Sequence, residues 1–325
     1  MSILSIVLAL SPVVSPDMGV DWRKDYETAR AEAREQGRLI LLHFTMAGRP
    51  LCRTMEEETF AQADVARVAR EKFVSVRVDV EARPELFEAT IGGRGGLASC
   101  VVDGEGDVIS ARHGFADAAA FLAFLRRAEA GYGTVKAARE ALSRNPDNRP
   151  KLHELAEAYR AADSLRRAED CYRKVIGQIS LLSNLEESDL RIFACSQERM
   201  ARLSVMRGRN LEARKHLDEA RRSDPGGRWT AVDRLLLTEG LTLAVERKHA
   251  EAARVLREAL TRFPAGEEAD HLLYALGFVL HQDGQDKPAL EALETALSRY
   301  PQSSWLPAAR EQIEHIRNPQ PDHTH

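Results

Sequence analysis

The chain has 325 residues, 44% of them hydrophobic and 30% charged, with a formal net charge of −4 at pH 7. That length supports two domains with cores of their own, and that balance excludes a disordered chain. The cations, mostly arginine, are scattered among Glu and Asp instead of gathered on one run, which argues against nucleic acid as a partner.

Residues 1–19 read as an apolar leader, with an uncharged run from Ile3 to Leu10 followed by Ser-Pro-Val-Val-Ser-Pro. The run resembles a signal-peptide core, although no Lys or Arg precedes it and no clear small-x-small cleavage site follows. It is too short to span a bilayer as a helix. The expected location is periplasmic or secreted, with the cytoplasm as the alternative, and no integral membrane segment is expected.

Residues 22–36 read as one amphipathic helix closed by Gly37. The largely apolar run 38–45 is a strand of a sheet covered on both faces. Helical patterns follow over 52–60 and 64–72, an alternating strand over 73–80 and a short helix over 84–90. Residues 97–102 and 108–112 flank Asp103-Gly104-Glu105-Gly106, a turn suited to an antiparallel hairpin. A helix over 116–130 closes the segment. The stretch Gly92-Gly93-Arg94-Gly95-Gly96 is followed by a strand and by no Gly-Lys-Ser/Thr, so it reads as a loop and not as a phosphate cradle.

Where the apolar run His43-Phe44-Thr45 meets Met46-Ala47-Gly48-Arg49-Pro50-Leu51-Cys52, the sequence resembles the active-site corner of a thioredoxin. Trp22-Arg23-Lys24-Asp25-Tyr26-Glu27, the run from Gly37 to Leu42, and Cys52-Arg53 with Met55-Glu56 and Thr59-Phe60 are similar to thioredoxin-like domains of bacterial thiol:disulfide interchange proteins. The resemblance implies an α/β thioredoxin-like fold over 20–131. In that family a strand delivers a Cys-x-x-Cys pair to a helix N-terminus, where the dipole and free amides activate the first thiol. Here Arg49 holds the first cysteine's place, Gly48 that of a tryptophan, His43 that of a buried aspartate and Leu97 that of the cis-proline. One thiolate must attack and a second must resolve the mixed disulfide, so this degenerate pair lacks the usual exchange cycle.

Cys52 is therefore the one redox candidate, able to form a mixed disulfide but not to resolve it alone. Arg49 is expected to point to solvent, to pair with Glu56 or Glu57, or to activate Cys52. His43 is expected as a hydrogen-bonded core histidine. The four cysteines, Cys52, Cys100, Cys171 and Cys195, show no metal-ligand spacing. His323 and His325 make no defined site, and neither a metal nor a cofactor is expected.

From Thr134 the pattern is helical throughout. Leu152-x-x-Leu155-Ala156-x-x-Tyr159 with Ala168, Tyr172 and Val175 resembles a tetratricopeptide (TPR) repeat. The register recurs with Ala201, Ala213, Leu217, Ala220 and Pro225, then with Gly240, Leu243, Ala252, Leu256, Ala259 and Pro264. A fourth copy holds Leu273, Leu276, Gly277, Leu280, Ala289, Leu293, Ala296 and Pro301. Residues 134–146 resemble the second helix of an incomplete repeat, 181–189 an insertion, and 305–316 a capping helix. The expected second domain is an all-α TPR solenoid over 132–317, with a disordered polar tail over 318–325.

Repeats of this family hold protein or peptide partners on a concave face lined by first helices. That register brings inward His153, Glu157 and Arg160, then Glu198 and Arg202, then Arg234, then His271, Tyr274, Phe278 and His281. The expected function is non-catalytic protein–protein interaction or scaffolding on that face. The alternatives are a single-cysteine thiol:disulfide oxidoreductase using Cys52 and a structural subunit of a bacterial envelope assembly.

Overall fold

In the computed structural model, residues 19–92, 96–303 and 305–318 are described; the expected leader up to residue 18, the centre of the glycine stretch and the tail from 319 lie outside them. The chain divides into two compact units. The first runs to Lys136 and takes in Tyr159–Ser164; the second is Ala137–Ala158 and the chain from Leu165.

The first unit is built on a five-stranded sheet, in the order β1 (Trp22–Arg23), β3 (Phe73–Asp79), β2 (Leu39–Thr45), β4 (Ala98–Val102), β5 (Val108–His113). β1, β3 and β2 are parallel, and β4 and β5 are antiparallel to their neighbours. β2 is buried along nearly its whole length, as its unbroken apolar run requires. Its residues Ile40, Leu42 and Phe44 join a core with Tyr26, Ala29 and Ala33 of α1 (Tyr26–Gln36) and Phe87 of α4 (Pro84–Thr90). His43, of opposite parity along the strand, faces Phe60.

Two elements differ from the sequence reading. The helix expected from residue 22 begins at Tyr26, because Asp25 caps it by accepting from the Thr28 backbone N–H at 2.7 Å. Trp22 and Arg23 instead pair with Ser75 and Val76 as an edge strand. The helices expected over 116–130 and 134–146 are one 26-residue helix, α5 (Ala118–Ser143). Its interior Gly131 does not break it; a Cβ there would lie 2.7 Å from that of Ala162, so glycine permits a close approach.

The second unit is a run of paired helices: α6 (Arg149–Ala161) with α7 (Leu165–Ser180), α8 (Glu187–Met206) with α9 (Asn210–Ser223), α10 (Val232–Val245) with α11 (His249–Arg262), and α12 (Ala269–Gln282) with α13 (Asp286–Arg299). Helix α14 (Leu306–Arg317) follows, while α3 (Ala63–Lys72) belongs to the first unit. The repeat is visible atom by atom. A small residue on each first helix has a large buried partner sixteen positions on: Ala156 and Tyr172, Ala201 and Leu217, Gly240 and Leu256, Gly277 and Leu293. At Gly240 and Gly277 an added Cβ would fall 2.6 and 2.5 Å from the partner leucine, so helix pairs approach too closely for any side chain there. Each turn within a pair also carries one left-handed residue two positions before the second helix, namely Asp163, Gly208, Arg247 and Gly284. Pro225, Pro264 and Pro301 each follow a second helix by two residues. This geometry is that of a TPR-like array.

Candidate functional site

In the first unit, β2 ends at Thr45 and the chain turns through Gly48, whose φ of +74° suits glycine, into α2 (Pro50–Thr54). Proline at the first helical position lacks an N–H that would go unpaired there. Cys52 is 6% exposed, and its Sγ accepts from the Met46 backbone N–H at 3.5 Å. Arg49 is exposed and makes no side-chain cap. Of the alternatives for Arg49, the exposed position is the one seen, and Glu56 accepts instead from Arg77 of β3 at 2.6 Å. Arg77 also lies 5.0 Å over the Trp22 ring.

From Met55 to Phe60 the helix widens into a π-helix, where the sequence predicted a plain continuation. The wider turn has Thr59 buried, donating to the Ala116 carbonyl, and Phe60 packed 4.6 Å from the His43 ring. His43 is fully buried, with Nδ1 2.9 Å from Ser99 Oγ and Nε2 unpartnered among the described residues. Burial pushes its pKa down to about 3, with Arg77 adding to the effect, so the imidazole is neutral. Leu97 precedes β4, its carbonyl accepting from the Gly114 N–H at 2.8 Å. The other cysteines are unsuited to nucleophilic work. Burial pushes Cys100 up to about 12 and Cys171 and Cys195 up to about 11.

In the second unit, five of the residues expected on the inner face are bound up in one another's contacts. Glu157 accepts from Arg199 Nε at 3.0 Å and from the Tyr172 hydroxyl. Glu198, 3% exposed, accepts from Arg199 at 3.3 Å and from Arg234 at 2.9 Å. Arg234 Nε donates to Glu268 at 3.1 Å, and Arg202 Nη2 lies 2.9 Å from His271 Nδ1. His271 beside it, with the Arg202 and Arg234 guanidiniums, holds Glu268 down to about 2. Burial lowers the pKa of His271, which favours the neutral ring that can accept from Arg202. Sequence reasoning missed Arg199 and Glu268. Their signal was their place beside Glu198 and one turn before His271.

The remaining expected residues are placed differently. His153 Nδ1 lies 2.9 Å from Ser196 Oγ, and Arg160 is half-buried and falls within the first unit. His281 Nδ1 lies 2.6 Å from Asp286. His271 stacks on Trp305 at 3.7 Å, Tyr274 stacks on the same indole at 5.2 Å, and Phe278, one turn on, is 38% exposed. Among the described residues no helix is long and apolar enough to cross a membrane, and no three His, Cys, Asp or Glu are placed to hold a metal ion.

Residues 13–92 match the family model described as Thioredox_DsbH, a protein of unknown function (DUF255). The first unit carries a thioredoxin-like domain. The chain is also similar to human spermatogenesis-associated protein 20, at 37% identity over 67 residues, which are 21% of this chain and 8% of that protein. It thus spans under a tenth of the length of that curated relative. Among solved structures it is similar to a thermophilic TPR protein of Thermus thermophilus, at 19% identity and TM-score 0.39, over 56% of this chain and 88% of that one. It is likewise similar to BtubC of P. vanneervenii, at 16% identity and TM-score 0.41, over 62% and 96%.

Proposed function

We propose that this chain is a protein-interaction module in which the TPR-like unit holds a protein or peptide partner along its first helices and the thioredoxin-like domain is a non-catalytic scaffold. The observation that supports this reading is the aromatic stripe of α12. Tyr274 is backed by Trp305, and Phe278, one turn on, stays open to solvent. Such a stripe offers apolar contact area at low entropic cost. The test is quantitative affinity capture with the full chain and with Phe278→Ser and Cys52→Ser. The reading requires that capture fall with Phe278→Ser and persist with Cys52→Ser; the reverse pattern sinks it.

That reverse pattern is what single-thiol exchange at Cys52 would give. The 3.5 Å contact of the Met46 N–H with the Cys52 sulfur at the start of α2 is the observation in its favour. The apolar leader supports a location outside the cytoplasm, which fractionation of cells expressing the full chain would check.

A further inference from the structure

Two pockets of about 420 and 240 Å³ lie side by side at the carboxyl ends of β2 and β3 in the thioredoxin-like domain, sharing Thr45 and Arg77 as a wall. Trp22, Tyr26, Val78 and Leu86 give the larger one apolar lining, and Lys24 and Arg83 line it too. The smaller lies over Cys52 among Arg49, Arg53 and Glu56. The wall between them is fixed, because the Arg77 guanidinium is held by Glu56 at 2.6 Å and lies over the Trp22 ring.

The charge around this double pocket is opposite in sign to that of the chain. Six cations line it, Arg23, Lys24, Arg49, Arg53, Arg77 and Arg83, against two carboxylates, Glu56 and Asp79, on a chain whose net charge is −4. Arg23, Arg77 and Arg83 are neutralised locally by Glu32, Glu56 and Glu85. Lys24, Arg49 and Arg53 are exposed, and among the described residues none of the three is in an ion pair. Beside Cys52, Leu51 stands 57% exposed and adds apolar contact area.

We infer that this double pocket docks an extended acidic segment of a partner protein, with an apolar side chain in the larger pocket and a carboxylate over the smaller one. The division into two adjoining compartments favours consecutive side chains of an extended chain over a single compact anion, which would fill one. The three unpaired cations supply the attraction, which is long-ranged and screened by salt. This site belongs to the first unit and stands independently of the TPR-like face proposed above.

The experiment uses the full chain and a fluorescein-labelled octapeptide of glutamates around one phenylalanine, followed by anisotropy at low and physiological salt. Binding is expected, weakening several-fold as salt rises. Replacing the glutamates by glutamines, or the phenylalanine by serine, is expected to weaken it about tenfold, a loss of about 1.4 kcal/mol. Lys24→Glu and Arg53→Glu, both at exposed positions, should each weaken the acidic peptide about tenfold with an unchanged thermal melt. Equal binding of the glutamine peptide, or unchanged binding by both variants, overturns the inference. So does full displacement by inorganic phosphate at millimolar concentration, which would show a small-anion site only. Absence of binding by the acidic peptide also overturns it.

Discussion

Arg202 on α8 donates to the ring nitrogen of His271 on α12 at 2.9 Å, joining first helices of two repeats that are not sequence neighbours. The bond requires an unprotonated His271 Nδ1. Burial lowers the pKa of this ring below the ordinary 6.5, so the contribution is complete above pH 6.5 and is lost as the pH falls below it. Urea unfolding of the TPR-like unit should therefore weaken between pH 7.5 and 5.5. His271→Phe should flatten that dependence while costing about 1–3 kcal/mol at pH 7.5, because Arg202 loses its acceptor.

Glu198 is the hub of the same network, buried and shared by Arg199 and Arg234. Removing one partner of a buried ion pair leaves the other charge uncompensated. Glu198→Ala should cost on the order of 3 kcal/mol in chemical denaturation, and Glu198→Ala combined with Arg234→Met should recover part of that loss. A loss no larger than that of an exposed pair such as Arg262 with Glu258 would show that water reaches the network.

His43 gives the thioredoxin-like domain its own acid limit. Its folded pKa of about 3 lies below the ordinary 6.5, so the stabilisation is present above 6.5 and declines through the window down to about 3. The decline should approach about 1.4 kcal/mol per pH unit and vanish in His43→Leu. Equilibrium unfolding followed at Trp22, with Trp229 and Trp305 replaced by phenylalanine, would read it.

The left-handed turn position is occupied by glycine in two repeats and by Arg247 in a third, at φ +61°. A residue with a Cβ is strained there. Arg247→Gly should be neutral or stabilising by up to about 1 kcal/mol, whereas Gly284→Ala should destabilise by about 1 kcal/mol. Thermal melts of the two variants would separate conformational strain from loss of the arginine's own contacts.

Alkylation of the native chain should be slow at all four thiols for two different reasons. Cys52 is shielded by its burial, and Cys171 and Cys195, although partly exposed, have pKa values pushed up to about 11. Cys100, fully buried and pushed up to about 12, should be last. Mass spectrometry of each cysteine over a time course gives the order. Fast reaction of Cys52 alone would favour the thiol-exchange reading.

The elements legible in the sequence were those with an unambiguous period or stop. The unbroken apolar run of β2, Gly37 closing α1 and the small-residue register of the helix pairs all stand where the pattern put them. Two residues of β1 are too few to show a period, and only the Asp25 cap could have revealed that the helix starts late. The helices expected over 116–130 and 134–146 are continuous as α5, and Gly131 within it packs closely on Ala162. The register proposed a set of inner-face residues but gave no sign of the bonds among them. A repeat register proposes each residue's face, whereas a bond such as Arg234 to Glu268 depends on how far one helix is offset along the next.

The Arg202–His271 bond runs past α10, while Glu198–Arg234 and Arg234–Glu268 run through it. Under mechanical load these are two routes in parallel between α8 and α12. A pull that separates the last repeat from its neighbour must break both routes together. The α8–α12 span is thus a part of the array in which load is shared across a skipped helix pair.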